Sequence, residues 1–376
     1  IFKMHILLIT SAYKSKFNPV NALFFRDQAL ALKNNGNQVG VICALPVSFK
    51  TILKERIFNF SKEAYVDSGI DTIISPFVSI PKTPKRTSNK IFKIGKKIFL
   101  EYIEKYGLPD IIHAHTSLSG QLAIWVKNHY NIEYVLTAHS SNFARKRFSK
   151  FQLNFFQKVF SESKANIAVS EKFAKLLEKT FCVPFKYVPN LVNTSFFKPL
   201  NNIKNTEKFI FLNVAHLDSN KNHKGLINAF YKKFYGKEYQ LIIAGDGEEM
   251  PNLRRQIKSL KINSQIKLLG RVDRKKIRSL MLKSNCFVLS SFYETFGVVL
   301  IEAMSCGIPV LSTRCGGPET IIKSNDYGYL CELNELPEFM EKIAFKSFDT
   351  NKIRSYVVEY FSQKAISKKL EKIYFE

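Results

Sequence analysis

The sequence lacks several features that would place it in other classes of protein. No apolar run approaches the ~20 residues that a membrane-spanning helix needs, and the short apolar start reads as a first strand rather than a secretory signal. The six cysteines include no Cys-x-x-Cys pair. Four of them, Cys43, Cys286, Cys306 and Cys315, lie in or beside apolar stretches, so we expect reduced core thiols in a cytosolic protein.

Acidic residues are also scarce, with 31 Asp and Glu against 57 Lys and Arg, and the net charge is +26. This surplus implies an anionic partner: nucleic acid, an acidic membrane surface or anionic substrates. It is concentrated in the basic stretch 82–97 and in the basic and aromatic stretch 145–156. Each is typical of a surface helix on anionic lipid or of a solvated basic face. Nucleic acid is the weaker reading, because no zinc-finger spacing, RNA-recognition signature or heptad array is present.

Alternating strand and helix patterns predict parallel α/β layers, and 376 residues suffice for two domains. A segment rich in turn formers, 187–199, leads into a polar linker predicted at 201–208. We therefore expect doubly wound domains at 1–200 and 201–360 and a terminal amphipathic helix within 361–376. The predicted strands lie at 5–10, 38–43, 110–115, 134–139, 165–170, 209–214, 240–245, 266–269, 286–289 and 309–312.

Two glutamates flank the start of a predicted helix in the second domain. The helix covers 298–306, so Glu294 lies in the strand-to-helix loop and Glu302 about a turn and a half inside the helix. Free N–H groups near Phe296, Gly297 and Val298 offer a site for a phosphate group. A carboxylate on each side of a diphosphate could bind sugar hydroxyls, an arrangement that suits a nucleotide sugar.

This run resembles the Glu-x7-Glu signature of the retaining glycosyltransferases of family 4, including its Ser-x-x-Glu-Thr-Phe-Gly lead-in and a later Gly-Gly-Pro-Glu loop that ends at Glu319. The resemblance implies the GT-B fold, with two Rossmann-like doubly wound domains facing across a cleft. The first domain would bind the acceptor, the second the nucleotide sugar, and the last helix would cross back to the first domain. Glu294 would then contact sugar hydroxyls and Glu302 the ribose. The alternative is a buried helix with two incidental glutamates.

In the first domain, Thr137-Ala-His139-Ser140 resembles the family's Thr-x-His-(Gly/Ser) element. By that resemblance His139 is a catalytic-site residue that binds a sugar hydroxyl near the reacting carbon; otherwise it caps the next helix. His113 and His115 lie on one face of a neighbouring strand, which would also suit a metal. No Asp, Glu or Cys completes a ligand set, so a structural or acceptor-side role is favoured.

Three further elements of the second domain resemble donor-binding segments of the family. Lys221 matches the lysine that clamps the donor diphosphate, with Lys224 as the alternative register. His216 stands where the family has arginine, and a neutral imidazole is a weaker donor than a guanidinium. Gly245 lies in a Gly-x-Gly element beside the donor, which lacks the third glycine of an NAD fingerprint. Arg271 lies in the base-contacting loop or is a surface charge.

One element departs from the family. Residues 18–28, which form the loop before the first long helix and the start of that helix, contain no glycine. Related sequences often have a glycine before this helix. We expect Arg26 and Gln28 to lie on the surface of that helix.

The resemblance implies a retaining hexosyltransferase that uses a UDP- or GDP-linked sugar to build lipopolysaccharide or capsule. The acceptor would be a saccharide or a polyprenyl-diphosphate-linked saccharide. The basic stretches alone favour a cytoplasmic enzyme on the inner face of the cell membrane. We expect no cofactor, and no metal for donor binding, because no Asp-x-Asp ends a predicted strand. The alternatives are a nucleotide-sugar epimerase on the same architecture and a basic nucleic-acid-binding protein.

Overall fold

The computed structural model describes residues 3–18, 22–80, 83–200 and 208–376. Its contacts divide the chain into two compact units, Ile1–Pro189 with Gln363–Glu376, and Asn190–Ser362. Residues 201–207 of the linker predicted at 201–208 lie outside the described residues, as do Lys82 of the first basic stretch and residues 19–21 of the loop that lacks glycine. Among the described residues, no helix is both long and apolar enough to span a bilayer.

The first unit contains a sheet whose described strands run in the order β3-β4-β2-β1-β5-β6-β7-β8. All neighbours pair in parallel except β3 and β4, which form an antiparallel hairpin. The strands are β1 His5–Thr10, β2 Gln38–Ser48, β3 Glu63–Asp67, β4 Ile70–Ser79, β5 Ile111–His115, β6 Tyr134–Ala138, β7 Ala165–Ala168 and β8 Lys186–Tyr187. The helices are α1 Leu23–Asn34, α2 Phe49–Glu55, α3 Pro84–Tyr106, α4 Gly120–Tyr130, α5 Lys150–Ser161 and α6 Glu171–Phe181.

The second unit contains a parallel sheet in the order β11-β10-β9-β12-β13-β14 within the described chain. Its strands are β9 Phe209–Val214, β10 Tyr239–Ala244, β11 Ile266–Leu268, β12 Cys286–Leu289, β13 Val310–Thr313 and β14 Gly328–Cys331. Its helices are α7 His223–Phe234, α8 Met250–Ser259, α9 Arg274–Lys283, α10 Val298–Ser305, α11 Pro318–Ile321, α12 Leu336–Ala344 and α13 Thr350–Phe361. This is the order of a Rossmann-type doubly wound sheet, as expected from the sequence.

The strands form because their residues are apolar on both faces, as a parallel sheet covered by helices on both sides requires. In β1, for example, Ile6, Leu7 and Leu8 are all buried. The thiols of Cys43, Cys286, Cys306 and Cys315 are buried and unpaired, which confirms the expectation of reduced core cysteines.

The last helix, α14 Gln363–Phe375, packs within the first unit. The Glu371 carboxylate accepts hydrogen bonds from Asn35 Nδ2 (2.7 Å) and Asn37 Nδ2 (2.6 Å). Lys164 Nζ also donates to the Tyr374 carbonyl at 2.8 Å. The chain thus returns to its first unit after completing the second.

The surface position expected for Gln28 is wrong. Gln28 is 7% exposed, and its Nε2 lies 3.3 Å from His113 Nδ1. Arg26 is also engaged, since its guanidinium donates to both carboxylate oxygens of Asp67 at 2.7 and 2.8 Å. Arg26 is paired in this way because the β3–β4 hairpin places Asp67 beside α1.

Candidate active site

The crevice most suited to a ligand in the second unit lies where the strand order reverses, between β9 and β12. These strands pair through Cys286↔Phe211 and Phe287↔Leu212. The loops that follow the carboxyl ends of these two strands lie side by side and cover residues 215–222 and 290–297. In open α/β sheets, ligands bind at this position.

Lys221 and Glu294 meet at this point as an ion pair between Nζ and Oε1. Both side chains are largely buried, with 22% and 14% of their surface exposed. Ser291 Oγ also donates to Glu294 Oε1 at 2.8 Å. Two side chains that the sequence singled out separately are therefore in direct contact.

The two loops are joined by their own hydrogen bonds. Ser290 Oγ donates to the Lys221 carbonyl at 2.9 Å, and the Phe292 N–H donates to the Asn220 carbonyl at 2.8 Å. Asn220 Nδ2 returns a bond to the Tyr293 carbonyl at 2.9 Å. The positions of Lys221 and Glu294 are thus fixed by backbone as well as by their own pairing.

Helix α10 begins at Val298, a short loop after Glu294. Its N-cap, Gly297, has φ 102°, a left-handed conformation that side chains disfavour. No side chain in the described chain caps this end. Because first-turn N–H groups and the helix dipole attract anions, the start of α10 at Val298 is suited to a phosphate. Phe296 is buried, 1% exposed, and anchors the loop.

Glu302 lies on α10 with 14% of its side chain exposed, and Arg274 Nη2 is 3.8 Å from its Oε1. The Arg274 guanidinium also lies 5.3 and 5.2 Å from the ring centroids of Phe196 and Phe197. Arg274 is not among the site residues predicted from the sequence. The sequence pattern next to it marks only a helix start: Asp273 caps α9, and its carboxylate accepts the Lys276 N–H at 2.7 Å.

The loops after β10 and β11 belong to the same edge of the sheet. The Gly245 N–H donates to the Gly270 carbonyl at 2.8 Å, directly before the exposed Arg271. Gly245 has φ 151°, and a Cβ there would collide with the Ala215 carbonyl. Glycine at this position therefore allows loops 215–222 and 245–249 to pack together.

His216 and Lys224 are more exposed than Lys221. His216 Nε2 lies 3.6 Å from Glu248 Oε2, with 62% of the histidine side chain exposed. Lys224 Nζ lies 3.6 Å from Glu249 and is 59% exposed. Of the two alternative lysines, only Lys221 contacts Glu294 in the described chain.

In the first unit, His139 follows β6 and contacts the histidines of β5. Its Nε2 lies 3.2 Å from His115 Nδ1, and burial lowers the pKa of His139 to about 3. Burial, with the charge of His139, also lowers the pKa of His113 to about 3. His113 bonds Tyr374 Oη (2.6 Å) and Thr137 Oγ1 (2.7 Å). These contacts give His113 a structural role.

Buried polar atoms collect at the carboxyl ends of β1 and β5, where the strand order of the first sheet reverses. Thr116, directly after β5, has φ 71°, which is strained for a β-branched residue. At this edge of the described sheet, the following buried atoms have no hydrogen-bond partner: Tyr13 Oη, Ser15 Oγ, His115 Nε2, Ser117 Oγ and Ser119 Oγ. Buried polar atoms are normally paired with protein, water or ligand, so this edge is suited to a hydroxyl-bearing molecule.

A metal site was the alternative interpretation of His113 and His115 on one face of β5. Within the described ranges, no group of three or more His, Cys, Asp or Glu side chains is placed to hold a metal ion.

Comparison with known proteins finds two family models that together cover most of the chain. Residues 23–196 match the model described as Glycosyltransferase Family 4, and residues 197–373 match Glycosyl transferases group 1. An uncharacterized glycosyltransferase of Methanocaldococcus jannaschii is 31% identical over 257 residues, which are 67% of this chain and 68% of that protein.

Another relative matches a shorter stretch. The N-acetyl-alpha-D-glucosaminyl L-malate synthase of Bacillus anthracis is 30% identical over 181 residues, 46% of this chain, and the match spans 47% of that enzyme. Among solved structures, Anabaena HepE in complex with UDP and glucose superposes with a TM-score of 0.70 at 19% identity, covering 98% of both chains. This likeness concerns the fold.

Proposed function

The chain belongs to the group 1 glycosyl transferases of family 4, with the GT-B fold, and from this we propose that it transfers a hexose with retention of configuration. The donor is a UDP- or GDP-linked sugar, and the acceptor is a saccharide or a polyprenyl-diphosphate-linked saccharide for lipopolysaccharide or capsule. The observation that carries the proposal is the Lys221–Glu294 pair beside the uncapped start of α10.

In the proposed reaction, the bond between the anomeric carbon and the donor phosphate oxygen breaks. An acceptor hydroxyl oxygen bonds to that carbon from the same face, and its proton passes to the leaving phosphate oxygen. Lys221 exchanges Glu294 for the diphosphate, where it and the first N–H groups of α10 stabilise the developing charge. One such donor contributes about 3–4 kcal/mol in the transition state. These groups replace a metal ion, so the proposed transfer requires none.

The remaining groups bind parts of the donor. Glu294, released from Lys221, accepts hydrogen bonds from sugar hydroxyls, and Glu302, held by Arg274, accepts them from the ribose. His216 and Arg271 supply further donors at the same edge of the sheet. We assign His139 to a sugar hydroxyl, because burial keeps its imidazole neutral at pH 7 and able to donate or accept one hydrogen bond.

Thermal unfolding with UDP, GDP and ADP in the absence of metal tests donor binding. A ligand at a hundredfold excess over its dissociation constant stabilises the folded form by about 2.7 kcal/mol. We expect a selective rise in Tm with one nucleotide, starting with UDP because a neighbour of similar fold was solved with it. Lys221→Met should remove the rise and Lys224→Met should keep it. No rise with any nucleotide would contradict the proposal.

The acceptor part of the proposal rests on the first unit. Its buried hydroxyls at the carboxyl ends of β1 and β5 offer hydrogen bonds to a hydroxylated molecule. This unit has 32 basic and 14 acidic residues, a net charge of +18, whereas the second unit carries +8. An acceptor presented on an anionic membrane would therefore be approached by the more basic unit.

Exposed apolar side chains accompany this charge. On α2, Phe49 is 60% and Leu53 54% exposed, and the following Phe58 is 70% exposed. Lys85 at the start of α3 lies over the ring of Phe151 on α5, 5.6 Å from its centroid. Aromatic and aliphatic side chains beside lysines are typical of a surface that binds anionic lipid. We therefore propose a cytoplasmic enzyme on the inner face of the membrane.

Flotation with anionic and neutral vesicles at low salt tests this placement. We expect binding to anionic vesicles only, weakened in Phe49→Gln and Leu53→Gln. Phe345→Gln, an equally apolar change at a 77% exposed site of the second unit, is the control. Equal binding of all variants, or no binding of the wild type to anionic vesicles, would refute the membrane proposal and leave nucleotide binding intact.

A further inference from the structure

A tyrosine-lined groove of about 380 Å³ lies on the second unit, away from the candidate active site. Its walls are the segment before β14 and one face of α13. The backbone carbonyl of Tyr327, directly before β14, accepts the N–H of Val310 at the start of β13. The groove therefore lies at the amino ends of these strands. Lys221 and Glu294 follow carboxyl ends, at the opposite edge of the same parallel sheet. Nothing in the proposed transfer uses this groove.

Three tyrosines form its apolar wall. The rings of Tyr327 and Tyr356 stack with centroids 4.2 Å apart and planes 14° apart, and Tyr360 lies 5.1 Å from Tyr356. Tyr356 Oη donates to the Ile321 carbonyl at 2.9 Å, which fixes its ring. Tyr360 is 45% exposed. The wall is therefore rigid on one side and open to a ligand on the other.

The polar groups of the groove favour an uncharged ligand. Lys352 Nζ is paired with Asp326 at 2.7 Å, so its charge is already compensated. Glu359 adds a negative charge beside Tyr360, Lys323 adds a positive charge that balances it, and Ser355 adds a hydroxyl. A phosphate or nucleotide would meet a carboxylate here, whereas a neutral hydroxylated molecule would find donors and acceptors.

A pyranose ring has the matching chemistry, with C–H groups on its faces and hydroxyls around its edge. Aromatic rings with a few polar groups, in a volume within the ~300–1,000 Å³ of small-molecule sites, form a typical binding site. We propose that this groove is a second saccharide-binding site, which holds a neutral part of the acceptor or product glycan away from the reacting end. The inference rests on the proposed transferase function for its biological role.

Such a site would add to acceptor affinity by linking two binding events on one chain. It would lower the KM for acceptors long enough to reach both sites and leave the KM for short acceptors and the kcat unchanged. A purely structural role of the tyrosines would not produce a dependence on acceptor length.

Saturation-transfer NMR with neutral gluco- and galacto-oligosaccharides of about two to six units, with the active site saturated by nucleotide, tests binding directly. We expect transfer to at least one oligosaccharide, weakened about tenfold or more in Tyr360→Ala. Tyr360→Phe should keep it, because the ring remains. Tyr235→Ala, at a 51% exposed tyrosine elsewhere on the unit, is the control and should also keep it.

The proposal would be overturned if the saturation-transfer signal were equal in wild type and Tyr360→Ala, or absent for every oligosaccharide. The Tm rise with nucleotide, measured on the same variants, separates the two claims. If nucleotide raises the Tm but no oligosaccharide binds, only the proposal about the groove is refuted. If oligosaccharide binding depends on Tyr360 but no nucleotide binds, the transferase proposal fails and the saccharide site remains.

Discussion

Acid should unfold the first unit well before it protonates most carboxylates. His113 and His115 are both 0% exposed, and their rings stack 4.3 Å apart. Burial, reinforced by the neighbouring histidines, lowers the pKa of His113 to about 3 and that of His115 well below its ordinary value. The folded unit therefore keeps both rings neutral at mildly acidic pH, while the unfolded chain protonates them.

The sign and size follow from proton binding. A histidine whose folded pKa is depressed favours folding fully above its unfolded pKa of about 6.5, and this contribution is lost as pH falls below it. Each such histidine changes the free energy of unfolding by about 1.4 kcal/mol per pH unit. His139, whose pKa is likewise lowered to about 3 by burial, contributes in the same way. The three together should cost about 7 kcal/mol between about pH 6.5 and about pH 4.5, comparable to the whole stability of a small domain.

Fluorescence of the one tryptophan isolates this unit, because Trp125 lies on α4. Urea unfolding followed at this residue at several pH values should give a free energy that falls steeply below about pH 6.5. His113→Asn should remove about a third of the slope, and His129→Asn, at an exposed position of α4, should leave it unchanged. An unfolding free energy that stays constant between about pH 7.5 and about pH 5.5 would refute the reasoning.

Three further outcomes are expected. Lys221→Ala should lower turnover by about two to three orders of magnitude, measured as sugar transfer at saturating donor; if Lys224→Ala has that effect instead, the assignment of the lysine is wrong. Glu302→Ala should weaken nucleotide binding by calorimetry with little effect on turnover at saturation, and an unchanged affinity would remove Glu302 from the ribose. Gly245→Ala should lower the Tm of the second unit, because its Cβ would meet the Ala215 carbonyl; an unchanged Tm would show that the loop can move aside.

The sheets were predictable because strand periodicity and apolar runs are local properties. Residues 209–214 and 286–289 are strands in the structure at those bounds. The positions of Lys221 and Glu294 after neighbouring strands followed from the same patterns, since carboxyl ends of parallel strands share one edge.

Pairings between distant residues could not be predicted from the sequence. Lys221 and Glu294 are 73 positions apart, and Arg274 reaches Glu302 from another helix. Neither contact has a local signature, because each depends on where two loops or helices lie in space. Gln28 was misplaced for the same reason, since only the fold shows that its side of α1 packs against His113.

Hydrogen exchange with and without the nucleotide that raises the Tm locates the nucleotide-binding site on the chain. If the diphosphate binds beside Lys221 and the start of α10, backbone N–H groups should exchange more slowly in the loop after β9, 215–222, and around the start of α10, 294–300. Protection absent from both segments, in a protein that binds the nucleotide, would contradict this placement of the diphosphate.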